Sequence, residues 1–419
     1  MASERPVRRR FLIVLAFLLL ATVIKFAYAW WTIGSNDTFH YWDFSDFAHV
    51  FGPIGIYGEW TYQPPYNHPP LVGWILAGLN LIGQAGVKMT FVVRAPAILA
   101  DIVTTVLVFD LLRSFRSLRT ATIGAALAAM SPIMIIISGY HGNTDPIFLM
   151  FAFLAFFLVY KNRSAFMVAL GGLCFGLSIS VKLVPIVIGP LLTVMVLRAG
   201  RRRVAAFAAG ATVVFLLLWL PVFVKEWTAF NTNVLGYAGY GPPRWGVIEF
   251  LVQIGASDHT ISVAQGPGRF VALGLAALVP AGIGWRRPDL TPVAFGLSLS
   301  MFLLLSTATA TQYLTWAAAA SVLVGVGVGT IYNLATGAFL VSIYDDWSDA
   351  YPWAWHQAKA HPFGPGQTFA AGLVWATLLT VVIAGLWQGM GRRVSSDPAA
   401  PDDHRISTDE LADAPAATG

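Results

Sequence analysis

The sequence has 419 residues, 57% of them hydrophobic and only 11% charged, with a mean hydropathy of +0.67. A soluble domain carries about 25% charged residues, so a soluble globular enzyme is excluded and a polytopic membrane protein remains. The formal charge of +5 comes from Lys/Arg clusters between apolar segments. Those clusters carry topology and are no nucleic-acid footprint, and the single Cys174 excludes a disulfide framework within the chain.

Arg5, Arg8, Arg9 and Arg10 precede an apolar run, Phe11 to Trp31. That run is long enough to span, since a span needs about 20 apolar residues, and the arginines place the N-terminus in the cytoplasm. Ala27-Tyr28-Ala29 also resembles a cleavage site, but the many later spans favour a retained first helix. The loop 31–70 is then extracytoplasmic. It carries Asp37, Asp43, Asp46, Glu59, His40, His49 and His68 among many aromatic residues. That mixture suits a site for a polar ligand, although Trp and Tyr collect at any membrane boundary.

The segment 69–83 is apolar but short, and its glycines and Asn80 suggest a half-embedded or re-entrant helix. With that reading, Phe91 to Leu112 runs inward and delivers the basic run Arg113 to Arg119 to the inner side. Spans then alternate through 120–138, 146–160, 164–181, 183–197, 204–224, 269–284 and 291–306. A large external loop covers 225–268. A further span is expected from Tyr313 to about Tyr332, with 344–367 as a polar aromatic loop and 368–390 as the last span. Counting leaves Arg392 and Arg393 outside, against the charge rule, unless short broken helices lie between Gln312 and Ile343. The expected fold is all-α, with about 11 transmembrane helices. The expected domain is 1–394, followed by a disordered cytoplasmic tail at 395–419.

This topology was read from basic clusters and lengths alone, yet it puts the unusual polar residues on one face. There lie Asp37, His68, Arg94, His141, Asn143, Asp145, Lys182, Arg244, Gln312 and Tyr313. Charged groups at a membrane are costly and by default suggest function. A carboxylate can take a proton from an acceptor hydroxyl. Lys and Arg can hold a phosphate and stabilise it as it leaves. Together they describe transfer of a sugar from a lipid-linked phosphate.

The order of short motifs resembles the GT-C superfamily of integral-membrane glycosyltransferases, over most of the chain to about Trp316. The pieces are S-N-D-T-F-H-Y-W-D-F after the first span, Y-N-H-P-P-L, then Arg94, Pro96 and Asp101, then H-G-N-T-D-P, S-V-K-L-V-P and T-Q-Y-L-T-W. Many members have a Gln where this chain has Asn143, and Asp37 is followed by Thr38 rather than a second acid. The resemblance implies an inverting hexosyltransferase using a polyprenyl-phosphate sugar, with mannose ahead of arabinose and glucose. The acceptor would be lipid-linked or a glycan at the extracytoplasmic face. Asp37 would be the catalytic base, with Asp43 the second choice. Lys182, Arg94, His68 and Arg244 would bind the donor phosphate. His141, Asn143, Asp145, Gln312 and Tyr313 would bind substrate.

Each assignment has a plain structural alternative. Asp37 and Asp145 can cap helices, Lys182 can snorkel, and Arg94 can pair with Asp101 two turns on. Neither a cofactor nor a divalent metal is expected, since the histidines lack ligand spacing. A secondary transporter is the rival reading, but transporters place their sites near the midplane between inverted repeats.

Overall fold

In the computed structural model, helix α1 (Glu4–Trp31) runs unbroken because it holds no glycine and its Pro6 falls in the first turn, where a missing N–H costs nothing. The structure describes residues 4–59, 61–162, 164–237, 245–348, 357–358 and 361–391. Arg244, Arg392, Arg393 and the tail at 395–419 lie outside them.

After Trp31 the chain does not cross back. Helix α2 (Asn36–Gly55) is capped by Ser35, whose Oγ accepts from the Asp37 N–H at 3.2 Å. It bends at Gly52, where φ is +79° and Pro53 follows. Helix α3 (Pro70–Gln84) folds back onto α2, with Asn80 Nδ2 donating to Asp46 Oδ1 at 2.6 Å. The next helix, α4 (Met89–Leu112), starts where α1 ends, since Lys88 Nζ donates to the Trp30 carbonyl at 2.9 Å. Both ends of the α2–α3 hairpin therefore sit at the level of Trp31. At 15 residues, α3 is about 22 Å long at the helical rise, which is short of a span. The half-embedded reading of 69–83 agrees with this geometry.

Helices then alternate in direction: α5 (Leu118–His141), α6 (Asp145–Lys161), α7 (Ala165–Val181), α8 (Val184–Ala199) and α9 (Arg201–Lys225). Two short helices, α10 (Val247–Gln253) and α11 (Asp258–Gln265), lead to α12 (Gly268–Arg286) and α13 (Pro288–Leu305). The basic clusters gather at one end. Lys161 pairs with Asp110 at 3.3 Å, and Arg198 Nη1 donates to the Gly284 carbonyl at 3.4 Å.

The C-terminal third differs from the expectation. The single span from Tyr313 to Tyr332 is two helices. A 3-10 segment, Thr311–Ala317, leads into α14 (Ala318–Val324). Gly325 is then extended and the chain turns back as α15 (Val326–Ser348). Asn333 seals the turn, its Nδ2 donating to the carbonyls of Ala318 at 2.9 Å and Gly329 at 2.8 Å. Helix α15 also continues past Ile343, through Asp345 and Asp346, where a loop was expected. Helix α16 (Pro365–Met390) returns to the basic end, where Arg116 Nη2 donates to Gln388 Oε1 at 2.9 Å. The broken pair supplies the pass that the charge count lacked. Among the described residues eight helices are long and apolar enough to cross a membrane, with shorter apolar helices between them. The expectation of about 11 overstates the full-length spans.

Two features hold the membrane-depth core. Lys25 of α1 donates to Asp101 of α4 at 2.6 Å, and Ser138 Oγ of α5 donates to the same carboxylate oxygen at 2.6 Å. The partner of Asp101 is thus Lys25 and not Arg94. Helices α7 and α9 meet at glycines. A Cβ on Gly172 would lie 2.0 Å from the Phe207 carbonyl oxygen, and one on Gly210 would lie 1.9 Å from that of Ala169. Small residues let membrane helices approach this closely. Gly210→Leu forces them apart, and an overpacking cost of about 1–3 kcal/mol follows. The expected result is a lower unfolding temperature in detergent, with Gly274→Leu as a control, since Gly274 has open space around it.

Candidate active site

Three segments meet at the end of the bundle away from the basic clusters. They are the turn 32–38, the end of α5 with residues 141–145, and the 3-10 segment 311–317. The last turns of α5, Ile135–His141, are π-helical, a winding that recurs at functional sites. Gly34 (φ +97°) and Gly142 (φ +76°) let the first two segments touch, and a Cβ on either would lie 2.5 Å from Thr38 Oγ1. Thr38 Oγ1 and Ser35 Oγ both donate to the His141 carbonyl, at 2.9 and 2.6 Å.

Beneath this contact lies Arg94, 0% exposed. Its Nη2 donates to the carbonyls of Ala29 and Thr32, each at 2.7 Å. Its Nη1 reaches Thr32 Oγ1 at 2.9 Å and the carbonyls of Gly139 and Tyr140 at 3.1 and 3.2 Å. Its Nε donates to the Thr90 carbonyl at 2.6 Å. The guanidinium thus collects the carbonyl ends of α1 and α5, which are the negative ends of two helix dipoles. That arrangement holds a buried cation without a carboxylate.

Asp37 stands in the first turn of α2 with its side chain 29% exposed. Its Oδ2 accepts from His141 Nε2 at 3.0 Å, Asn143 Nδ2 at 3.1 Å and Gln312 Nε2 at 3.2 Å. No described residue bonds its Oδ1. His141 Nδ1 is in turn bonded to the buried Tyr344 hydroxyl. Asp37 accepts only, so His141 must present an N–H at Nε2. Burial by itself would raise the Asp37 carboxyl. The His141 ring and its hydrogen bond overcome that, with help from His40 and Asn143, and hold it at about 2.

Asp37 lines a cavity of about 770 Å³. His40, His68, Lys182, Gln312 and Tyr313 line it too. Lys182 Nζ bonds Asp145 Oδ1 at 2.5 Å and lies 4.3 Å above the Tyr313 ring. The 0%-exposed Asp145 also accepts from Trp316 Nε1 at 2.7 Å. Burial first, and the Lys182 charge second, push the His68 imidazole down to about 3, so it is neutral at pH 7. Among the described residues no group of three or more His, Cys, Asp or Glu is placed to hold a metal.

Residues 67–236 match the family model described as dolichyl-phosphate-mannose-protein mannosyltransferase. That match covers less than half of the 419-residue chain. The fold of the chain is similar to that of ArnT from Cupriavidus metallidurans in the apo state. The TM-score is 0.50 at 13% identity, over 89% of this chain and 76% of that one. The same ArnT bound to undecaprenyl phosphate gives 0.49 at 12% identity, again over 89% and 76%. The Archaeoglobus fulgidus oligosaccharyltransferase tethered with an acceptor peptide gives 0.42 at 13% identity, over 90% of this chain and 55% of that one. No curated protein sequence is a significant match.

The residues singled out in the sequence fall into groups. Asp37, His141, Asn143, Gln312, Tyr313, Lys182 and His68 line one cavity, and Asp145 sits directly behind Lys182. Asp43 does not line it, and accepts from the Tyr62 hydroxyl at 2.6 Å instead. Arg94 cannot be a phosphate ligand, because it is sealed from the cavity and its nitrogens are engaged with backbone and Thr32. The sequence reading missed Tyr344, hidden by the early end assigned to α15. Its signal was there: Tyr332, Thr336, Leu340, Tyr344 and Ser348 are buried on one helical face, and spacing by four is a face.

The low Asp37 value has a testable sign. A carboxyl held below its ordinary 3.8 contributes stability that is full above that value and is lost as pH falls through about 2. A carbon-13 NMR titration of the protein should show Asp37 ionised throughout the range above pH 4. In His141→Gln the midpoint should move up.

Proposed function

We propose that this enzyme transfers a hexose, with mannose the first choice, from a polyprenyl-phosphate carrier to a hydroxyl of a lipid-linked or glycan acceptor, with inversion. The observation that carries the proposal is Asp37. One carboxylate oxygen is fixed by three donors while the other is left unbonded by the described residues, beside the cavity that Lys182 also lines. A held carboxylate with one free oxygen can orient an acceptor hydroxyl and take its proton as the new bond forms. Lys182 supplies positive charge for the departing phosphate oxygen, and the Tyr313 and Trp316 rings beside it offer flat apolar faces to a sugar or an isoprenoid.

The ionised Asp37 suits a low-dielectric site, because the three donors replace the water it has lost. The neutral His68 can meet a phosphate or hydroxyl by hydrogen bonding but adds no charge. The proposal places the cavity on the extracytoplasmic face, since the basic clusters at the opposite end belong inside. The mannosyltransferase family model over residues 67–236 supports the choice of donor class.

The test uses full-length protein in lipid nanodiscs with radiolabelled polyprenyl-phosphate mannose, arabinose and glucose, each offered a membrane lipid and glycan extract. Label should leave one carrier for a new product in an enzyme-dependent way. No transfer from any of the three donors would sink the proposal.

A further inference from the structure

The cavity holds a second histidine with the opposite hydrogen-bonding polarity from His141. His40 lies one helical turn beyond Asp37 on α2 and lines the same cavity. Its Nδ1 is 2.8 Å from the Tyr62 hydroxyl. That hydroxyl has one proton, and it is given to Asp43 Oδ2 at 2.6 Å. The Tyr62 oxygen can therefore only accept from His40, which fixes the ring as Nδ1–H. In the neutral form of the ring Nε2 is then a lone pair, and none of the described residues bonds it. Tyr62 and Asp43 do not line the cavity, whereas His40 does. His141 shows Asp37 an N–H, while His40 offers the cavity a base.

We infer that the chain Asp43–Tyr62–His40 makes His40 the residue that finally holds the proton taken from the acceptor. The inference rests on the transfer reading above. As the acceptor oxygen forms its bond to the sugar, the bond to the carrier phosphate breaks and its electron pair leaves on the phosphate oxygen. The acceptor proton goes to Asp37 Oδ1 and then to His40 Nε2. The imidazolium so formed keeps its Nδ1–H on Tyr62 and is balanced through that hydroxyl by Asp43. The proton goes to water when product leaves, so the cycle needs no other reactant.

The need for such a group follows from Asp37 itself. A carboxylate with one oxygen already held by three donors keeps a proton poorly, and a lone pair in the same cavity offers that proton its next place. The groups around His40 fit the task. They are Asp37 on its own helix, Tyr62 and, through it, Asp43, and the neutral His68, whose proton affinity His40 also lowers. The apolar Phe44 ring, 6.4 Å away between centroids, closes one side. A ring nitrogen held by a fixed partner is how general bases are commonly oriented.

The experiment compares wild type, His40→Ala and Tyr62→Phe in nanodiscs, using whichever of the three labelled donors wild type turns over. His40→Ala should lose about 10- to 100-fold in kcat with an unchanged donor KM. The acid limb of the kcat–pH profile should vanish with it, and added imidazole should restore rate. Tyr62→Phe should lose less and shift that limb. Wild-type kcat in His40→Ala, or a loss that imidazole does not repair, would overturn the inference. Nitrogen-15 NMR of the ring gives a readout that needs no turnover. His40 should be Nδ1–H in wild type and a tautomer mixture in Tyr62→Phe, and Nε2–H in wild type would overturn the inference by itself. Absence of turnover in wild type would instead strike the transfer reading, and the NMR result would still stand.

Discussion

Asp37→Asn should abolish transfer, with kcat falling about 10²- to 10⁴-fold, while the protein stays folded and still binds its donor. The substitution keeps the shape and an oxygen for His141 Nε2, and the amides of Asn143 and Gln312 can turn to suit the new group. What it removes is the charge and the free oxygen that would take a proton. The measurement is single-turnover transfer of labelled sugar, paired with thermal unfolding in detergent. Loss of rate with an unchanged unfolding temperature assigns the effect to chemistry. Asp43→Asn should cost far less, since Asp43 reaches the cavity only through Tyr62 and His40. Equal losses in the two variants would remove Asp37 from its special place.

Arg94→Met should be the most damaging substitution for stability. The guanidinium satisfies carbonyls at the ends of α1 and α5 and at Thr90. An apolar replacement leaves those carbonyls buried and unpaired, at about 1–3 kcal/mol each where nothing relaxes. Breaking up a buried charged group typically costs about 3–5 kcal/mol in total. Arg94→Lys should rescue little, because a single ammonium has three donors on one point and cannot replace a planar fork. Size-exclusion profiles and unfolding temperatures in detergent check this. A normally stable Arg94→Met would mean that the two helix ends hold together without the clamp.

Arg94 also shows where sequence reasoning stops. Hydropathy and basic clusters report the cost of moving a segment into an apolar medium, so they located most of the long apolar helices and the short α3. They do not distinguish lipid from protein as that medium. An arginine near a span end therefore looks the same whether it meets a substrate or, as here, a shell of carbonyls from three separate segments. The site was legible to the extent that its residues are titratable: Asp37, His141 and Lys182 stand out in apolar surroundings. Their partners were not, because Gln312 lies 275 residues from Asp37 and Tyr344 lies 203 from His141. The break at Gly325 is local and yet escaped, because the apolar run continues through it without a charge to mark the turn.

The Lys25–Asp101 pair bears on how the chain is made. Lys25 leaves the ribosome 76 residues before its counter-ion. Until α4 has been synthesised, α1 carries an ammonium at a depth where nothing yet neutralises it, and its cheapest course is to stay against the insertion machinery or hold that end near the headgroups. Arrival of Asp101 removes the obstacle and draws the two helices together, with Ser138 of α5 completing the carboxylate's partners a little later. The final depth of α1 is in this way favoured only with the helix that balances Lys25 beside it.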